Sequence, residues 1–209
     1  MSGETQTVSG VIAAGVKIGD GYYREVYRQG NTAGKIVKPQ WNTLVGKLLL
    51  KIKFGTGDLN ALEKFNYEHH VAEMPVRIRD YFVHVTGRSF SKSGDLITCE
   101  LAKNSDGTPA KRLKDYGPVN DRMFWNRIGI LEKALIEWEV PFFGINDENV
   151  LVREWREPNV GCDKYPIVVD LKRFGYRTTV FQPQVKIKKG FEAKIHRAFA
   201  RLSEEYKIV

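Results

Sequence analysis

The second half of the sequence carries a carboxamide and a carboxylate beside two short apolar segments. Asn149 precedes Val150-Leu151-Val152, and Asp170 ends the apolar run that begins at Ile167. If the two segments pair as a hairpin, both polar side chains lie at one end of it. Magnesium takes hard oxygen ligands and often only one or two of them from protein. The pair therefore predicts a magnesium site completed by phosphate oxygens, although each residue alone is typical of a turn.

A segment of the first half, residues 33–38, supplies lysines for the phosphates of the same ligand. Lys35 and Lys38 are separated by an odd number of positions, so they point to opposite faces of a strand and only one can face inward. The other is expected to face solvent. Glu63, in a downstream helical stretch, can pair with the inward lysine and orient it, and Glu68 is a rival for that role.

A glycine-rich turn, Gly19-Asp20-Gly21, lies between two segments with strand character. The backbone N–H groups of such a hairpin can lie over phosphates. A dinucleotide-binding fold needs a helix after the glycines, and a Walker loop needs Gly-Lys-Ser/Thr, and the sequence has neither here. The competing interpretation is an ordinary hairpin turn that uses glycine for a positive φ, which is the commoner origin of this motif.

The elements that position these residues fall into two groups. The first half is predicted to hold two helices, at 41–53 and 59–73, and five strands, at 8–18, 22–27, 33–38, 75–85 and 95–101. The second half is predicted to hold an amphipathic helix at 121–139, then the hairpin, then a basic helix at 190–206. The prediction is an α+β fold with a sheet-rich domain over residues 1–102 and a mainly helical domain over 103–209.

Composition limits the classes of protein. The chain has 209 residues, 42% of them hydrophobic, and its two cysteines, Cys99 and Cys162, lack metal-ligand spacing. We expect a folded, cytoplasmic protein, because no apolar run reaches eighteen residues and the first residues do not resemble a secretion signal. The formal net charge of +8 favours anionic partners. Nucleic acid, peripheral contact with an anionic membrane, a phosphorylated sugar and ATP all satisfy this condition.

Taken in order, these motifs resemble the protein-kinase superfamily, and more narrowly the small bacterial YrbL-type family, known as PhoP regulatory network proteins. The similarity covers residues 16–181 and includes the glycine turn, the lysine strand, Glu63, the two metal-ligand segments and a hinge-like segment at 96–101. The resemblance implies a protein-kinase-like two-lobed fold, with a sheet-rich N-lobe and a reduced helical C-lobe. It also implies that the chain binds ATP with magnesium.

The resemblance implies a role for each candidate residue. The nucleotide contacts are Gly19, Gly21, one of Lys35 and Lys38, Glu63 as the lysine's partner, Glu100 and Leu101, and the metal ligands are Asn149 and Asp170. Lys35 is preferred because Ile36-Val37 follows it, as an Ile-Val pair follows the lysine of YrbL-type chains. Lys38 better matches the distance of the strand from Tyr27, so the choice stays open.

The sequence departs from the kinase pattern at Gly144. A kinase has an aspartate five residues before the metal-binding asparagine, and Gly144 has no carboxylate to accept a substrate proton. Asp147, in the same loop, is the candidate replacement base, although an acid there is also typical of a turn. The predicted catalytic residues are therefore Asp147 and Asp170. About forty residues follow Asp170, so a small acceptor is expected rather than a protein held by further helices.

The leading interpretation is therefore an ATP- and magnesium-binding kinase-like phosphotransferase that acts on a small molecule or on an acceptor that the sequence does not identify. A missing base slows such a reaction by about 10²–10⁴-fold, whereas positioning and charge neutralisation carry most of phosphoryl transfer. The alternative is a non-catalytic pseudokinase that acts as a regulatory or binding module. A second alternative is a basic nucleic-acid-binding domain, which the charge allows but no recognised motif supports.

Overall fold

A computed structural model describes residues 15–91, 94–140, 142, 144–157, 161–173 and 188–208. The chain divides into two compact units, the first formed by the residues up to Phe65 together with His84–Leu101, and the second by Asn66–Val83 together with the residues from Ala102 onward. Residues 66–83 thus group with the second unit, although the sequence analysis placed them in the first domain. The predicted domain bounds, 1–102 and 103–209, stay a prediction.

The first unit is built on one antiparallel sheet. Its strands are β1 (Val16–Asp20), β2 (Arg24–Gln29), β3 (Thr32–Val37), β4 (Val85–Ser91) and β5 (Gly94–Glu100). Their order in the sheet is β1-β2-β3-β5-β4. The strands predicted at 22–27, 33–38 and 95–101 are confirmed with their ends shifted by one or two residues. Only the end of the strand predicted at 8–18 is confirmed, because residues 8–14 lie outside the described residues.

Two helices pack in the first unit, and local signals set their ends. Helix α1 (Leu44–Phe54) begins after Thr43, whose hydroxyl accepts a hydrogen bond from the Gly46 N–H, and ends at Gly55, which has φ +75°. Helix α2 (Leu59–Asn66) begins after Asp58, whose carboxylate accepts a hydrogen bond from the Ala61 N–H. The helix predicted at 41–53 is confirmed with shifted ends, and the one predicted at 59–73 is confirmed as an α-helix over residues 59–66. A small core of Tyr23, Leu50, Phe54 and Leu59 joins the two helices to the residue before β2.

The segment after α2 corrects one prediction. The helix continues as a π-helical turn (Tyr67–Val71), and the short helix α3 (Val76–Arg79) stands where the sequence predicted a strand at 75–85. Pro75 explains the difference, because proline is compatible with a helix start and provides no N–H for a sheet. The end of the segment still pairs with a strand, since Val83 N–H donates to the Val168 carbonyl at 2.9 Å.

A three-stranded antiparallel sheet in the second unit contains the predicted hairpin. Its strands are β6 (Lys111–Arg112), β7 (Val150–Glu157) and β8 (Gly161–Val168), in that order. The hairpin of β7 and β8 confirms the pairing expected for the two apolar segments. Its register sets Val150 opposite Val168.

The other helices of the second unit are α4 (Leu113–Tyr116), α5 (Arg122–Glu137) and α6 (Lys188–Tyr206). Helices α5 and α6 confirm the predictions at 121–139 and 190–206, and Asp121 caps α5 by accepting from two backbone N–H groups. Their periodic apolar residues are buried, namely Phe124, Ile128, Leu131, Leu135, Phe191, Ile195, Phe199 and Leu202. Trp138 is the exception, because α5 ends before it and it remains 48% exposed. None of the helices that the structure describes is long and apolar enough to cross a membrane.

Candidate functional site

The first unit brings Lys35 and Glu63 together in a buried ion pair. Lys35 lies in β3, and its Nζ is 2.5 Å from Oε1 of Glu63 on α2. The two residues are only 7% and 0% exposed. Burial removes both charges from water, so each needs a close partner to remain charged. Glu68, the rival glutamate, is exposed on the π-helical turn and is not the partner in this pair.

Arg24 is a second cation on the same carboxylate and was not among the residues predicted from the sequence. Its guanidinium contacts Oε2 of Glu63 and donates to Oδ1 of Asn60 at 3.2 Å. Asn60 is fully buried and donates in turn to the Asp95 carbonyl at 2.9 Å. Asn60 and Glu63 are three positions apart on α2, which puts them on one face of the helix. The spacing of Asn60 and Glu63 is the feature of the sequence from which this network could have been predicted.

The surroundings of the buried pair exclude water. Cys99 on β5 is fully buried, and its burial raises the pKa of the thiol to about 11, although the nearby Lys35 ammonium opposes the rise. The thiol therefore stays protonated at neutral pH. Because Cys99, Lys35 and Glu63 are all buried, solvent screens the ion pair only weakly.

Lys38 has a different partner. It follows the end of β3, and its Nζ lies 2.5 Å from Oδ1 of Asp20 in the glycine turn. Asp20 also binds Lys17 at 2.9 Å, and Lys38 and Lys17 together lower the pKa of the Asp20 carboxyl. The two candidate lysines thus differ in burial and in partner. Lys35 is held by a helix, and Lys38 is held by the turn.

Gly19 and Gly21 are favoured by close packing and not by an unusual backbone conformation. Neither has a positive φ, so the competing interpretation of the turn does not describe it. A Cβ on Gly19 would lie 3.3 Å from Cβ of Val26, and one on Gly21 would lie 3.2 Å from the Arg24 carbonyl oxygen. The Gly21 N–H donates to that same oxygen at 2.9 Å. In this conformation the turn forms a hydrogen bond with the first residue of β2.

The hinge-like residues Glu100 and Leu101 lie at the end of β5, which pairs with a strand on each side. Glu100 N–H donates to the His84 carbonyl at 2.8 Å, and Leu101 N–H donates to the Asn31 carbonyl at 2.9 Å. Each N–H is a single donor, so both are already committed to protein carbonyls. The Glu100 side chain is exposed, with Nδ1 of His84 3.4 Å from its carboxylate. A purine base bound here would have to form hydrogen bonds with other backbone groups.

In the second unit, Asn149 is oriented by the loop before β7. Its Nδ2 donates to the carbonyl of the buried Gly144 at 2.8 Å, and its own N–H donates to Oδ1 of Asn146 at 2.9 Å. The hydrogen bond from Nδ2 to a carbonyl distinguishes the nitrogen of the Asn149 amide from its oxygen. Oδ1 is therefore the atom that can act as a metal ligand, and no hydrogen bond among the described residues engages it.

Asp170 lies two residues beyond β8, at the same end of the hairpin as Asn149. Val169 N–H donates to the Asn149 carbonyl at 2.8 Å, which extends the pairing of the hairpin to the residue before Asp170. Asp170 has φ +64°, in the left-handed region, where aspartate and asparagine are tolerated better than most residues. Its carboxylate forms an ion pair with the Lys172 ammonium, and Lys172 is buried.

The contact with Lys172 was not predicted. Lys172 belongs to a 3₁₀ turn (Leu171–Arg173) whose Leu171 carbonyl accepts a hydrogen bond from the buried Asn66 side chain at 2.8 Å. No cluster of three or more His, Cys, Asp or Glu side chains suited to a metal occurs in the part of the chain that the structure describes. A metal bound here would thus depend on one or two protein ligands and on oxygens of the nucleotide.

Asp147, the candidate base, is held by the last residue of α6. The Tyr206 hydroxyl donates to Oδ2 of Asp147 at 2.8 Å, and this hydrogen bond raises the pKa of Tyr206 to about 12. The Asp147 backbone is also fixed, because its carbonyl accepts from the Lys114 N–H at 3.1 Å. Tyr206 lies 59 positions from Asp147, and no local pattern pointed to it.

No protein-family model matches the chain, and no curated protein matches it in sequence. Solved structures do match. The Rio2 kinase from Chaetomium thermophilum has a TM-score of 0.58 and 13% identity over 90% of this chain. The complex of that kinase with ADP/Mg²⁺-phosphoaspartate has a TM-score of 0.56 and 14% identity over 89% of this chain.

The fold is protein-kinase-like. This confirms the fold class expected from the sequence, with an antiparallel sheet in the first unit and helices in the second. The chain spans 56% and 53% of the length of the two Rio2 kinase chains that it matches. At 13% and 14% identity the similarity establishes the fold alone. The roles of the individual site residues stay predictions.

Proposed function

We propose that this chain binds ATP with magnesium and transfers the terminal phosphate to an acceptor hydroxyl. The observation that carries the proposal is the buried contact of Lys35 with Glu63. A buried ion pair is weak support for stability, because desolvation offsets most of the attraction. In a kinase-like fold the same pair has a direct use, since it holds an ammonium group in place for the α- and β-phosphates.

Asn149 and Asp170 are the residues that would hold magnesium. Two observations fit that metal: the Asn149 amide is fixed with its oxygen available, and the Asp170 carboxylate already attracts a cation, the Lys172 ammonium. Bound magnesium would neutralise charge on the phosphate oxygens. The Rio2 kinase, which shares the fold, has been solved with ADP/Mg²⁺, and this supports the binding of magnesium with a nucleotide.

Asp147 is the residue that would accept the acceptor's proton. The acceptor oxygen forms a bond to the γ-phosphorus while the bond from that phosphorus to the β–γ bridging oxygen breaks, and ADP leaves. The proton released from the acceptor hydroxyl goes to the Asp147 carboxylate, which Tyr206 holds through Oδ2. Gly144 has no side chain to do this, so the proposed reaction is slow compared with that of a kinase with an aspartate at that position.

A narrower relationship to the YrbL-type family is part of the proposal. It is supported by the order of the motifs, namely the glycine turn, the lysine strand, Glu63, and the segments that contain Asn149 and Asp170. The small acceptor and the cytoplasmic location expected from the sequence belong to the same proposal.

A second candidate function is a nucleotide-binding module without turnover. Two observations favour it. Gly144 occupies the position of the usual base, and Lys172 is paired with the carboxylate that a metal would need. In that case nucleotide binding would regulate the stability or the interactions of the chain, and no phosphate would be transferred.

Measurement of ADP formation beside ATP binding separates the two functions. The protein is incubated with magnesium and ATP, with and without candidate acceptors, and ADP is quantified while binding is followed by calorimetry. Phosphotransfer predicts slow ADP formation that Asp147→Asn abolishes while ATP binding is unchanged. Tight ATP binding with no ADP formation under any condition would establish the second candidate, and the absence of ATP binding would reject both.

A further inference from the structure

Helix α1 carries a contiguous apolar surface on its outward side. The residues of this outer stripe are Leu44, Val45, Leu48, Leu49 and Ile52, and they are between 49% and 87% exposed. Their positions follow the i, i+1, i+4, i+5, i+8 pattern of a single helix face. Isolated exposed aliphatic residues need no explanation, but five neighbours on one face mark an interaction surface.

The outer stripe is not the face through which α1 packs on the protein. The opposite side of α1 buries Gly46, Leu50 and Phe54, and the last two pack with Tyr23 and Leu59. The approach at Gly46 is so close that a Cβ there would lie 2.4 Å from the Gln40 carbonyl oxygen. The helix is therefore already docked through its inner face, and the outer stripe is additional to that packing.

The polar residues of α1 indicate what covers the stripe. They are Lys47, Lys51 and Lys53, all exposed, and the helix has no acidic residue. At 100° per residue, Lys47 and Lys51 border one side of the stripe and Lys53 borders the other. An apolar face with lysines along both margins is the arrangement of a helix that lies at the surface of a membrane, where lysine stems reach to the headgroups.

We propose that α1 binds the surface of a bilayer that contains anionic phospholipids. The helix has 11 residues, so it is about 16 Å long and lies in the plane of the interface rather than across it. Its aliphatic residues enter the boundary of the acyl chains, and Lys47 and Lys51 contact anionic headgroups. A symmetric dimer through the stripe is less favourable, because it would bring the lysine margins of two copies together.

Vesicle binding of the full chain tests the proposal. Sedimentation is compared between vesicles of phosphatidylcholine and vesicles with about 30% phosphatidylglycerol, where each lysine near the surface is worth roughly fivefold in binding. We expect binding to the anionic vesicles alone, weakened strongly by high salt. Lys47→Gln together with Lys51→Gln should then lower the binding by roughly 10–30-fold.

A matched pair of variants tests the apolar part. Ile52→Gln alters the stripe, whereas Ile130→Gln alters an isoleucine of similar exposure on α5. Both sites are on the surface, so the fold should be kept. Ile52→Gln should lower vesicle binding at least about fivefold and Ile130→Gln less than twofold. Failure to bind anionic vesicles, equal effects of the two variants, or a dimer in solution that Ile52→Gln dissociates would each overturn the proposal.

Discussion

Each unit of the molecule holds a lysine–carboxylate pair among its candidate site residues, and the two pairs have opposite consequences. In the first unit Glu63 holds Lys35, which is the residue proposed to bind phosphate. In the second unit Lys172 holds Asp170, which is the residue proposed to bind the metal. The group with the proposed function is the cation in one pair and the anion in the other.

The difference teaches that the same interaction can prepare a site or compete for it. Lys35 is oriented before any ligand arrives, so phosphate binding needs no rearrangement of the pair. A metal ion at Asp170 would have to displace the bound ammonium, and that exchange would reduce the affinity for the metal. We therefore expect the first pair to strengthen phosphate binding, and we expect metal binding at the second pair to depend on how strongly Lys172 competes for Asp170.

Breaking the first pair should have the largest effect. Glu63→Ala removes the carboxylate shared by Lys35 and Arg24, and it leaves two cations in a buried place. We expect a loss of about 3–5 kcal/mol in the free energy of unfolding, measured in urea. Glu68→Ala is the matched control, because Glu68 is exposed, and it should change that free energy by less than about 0.5 kcal/mol. Similar small changes in both variants would contradict the role of Glu63 as the anchor.

Removing the carboxylate of the second pair should abolish the metal dependence of ATP binding. For the wild type, ATP at a hundred times its dissociation constant should add about 2.7 kcal/mol of stability when magnesium is present, which is roughly 5–10 °C in Tm. Asp170→Asn should lose the magnesium-dependent part of this shift but keep the fold, because asparagine tolerates the positive φ of this position.

Asp170→Ala separates backbone strain from metal binding. Alanine tolerates the left-handed region less well, so this variant should be less stable than Asp170→Asn by about 1–2 kcal/mol without any ligand. Both variants should respond to magnesium equally weakly. A magnesium response in Asp170→Asn as large as that of the wild type would remove Asp170 from the metal site.

Removing the competing cation, Lys172, should strengthen metal binding instead of weakening it. Lys172→Met leaves the Asp170 carboxylate without the ammonium, so the variant should be less stable without metal and should bind Mn²⁺ with ATP roughly 3–10-fold more tightly. Metal affinity is measured by the electron paramagnetic resonance signal of free Mn²⁺. Lys111→Met, at an exposed position on β6, should leave the affinity unchanged. Weaker metal binding by Lys172→Met would show that Lys172 supports the site rather than competing for it.

The smallest effect is expected in the second unit, at Tyr206. Tyr206→Phe removes the hydrogen bond to Asp147 and should cost about 0.5–1.5 kcal/mol of stability. Tyr116→Phe is a matched control, because Tyr116 donates to Glu154 at 2.7 Å in the same unit. Both variants should lose similar stability, but only Tyr206→Phe should change the rate of ADP formation, by a few fold. Equal rates in the two variants would show that Tyr206 has a structural role alone.

Features that are determined by neighbouring residues could be predicted from the sequence. The helices predicted at 41–53 and 121–139 could be read from apolar residues that recur at spacings of three and four. Strand alternation in β3 showed that only one of Lys35 and Lys38 could face inward, and the structure buries Lys35. The strand predicted at 75–85 failed because its apolar residues also fit a single helical turn, and Pro75 favours the helix.

Features that depend on distant or unusual contacts could not be predicted. Tyr206 reaches Asp147 across 59 positions, and no local pattern connects the two residues. The positive φ of Asp170 and its ion pair with Lys172 follow from the turn after β8, whose conformation no residue pattern determines. The exposure of the outer stripe of α1 could not be predicted, because its apolar residues have the pattern of an ordinary buried helix.

The most direct test of the account is the calorimetric binding of magnesium and ATP to the wild type, Lys35→Met and Lys38→Met. Lys35 is held in a buried place by Glu63, and Lys38 is bound to Asp20 in the glycine turn. We predict that Lys35→Met weakens ATP binding at least about tenfold, since it removes a charge-assisted contact to phosphate, and that Lys38→Met changes it less than about twofold. Equal effects of the two variants, or a larger effect of Lys38→Met, would contradict the claim that the buried pair binds the nucleotide.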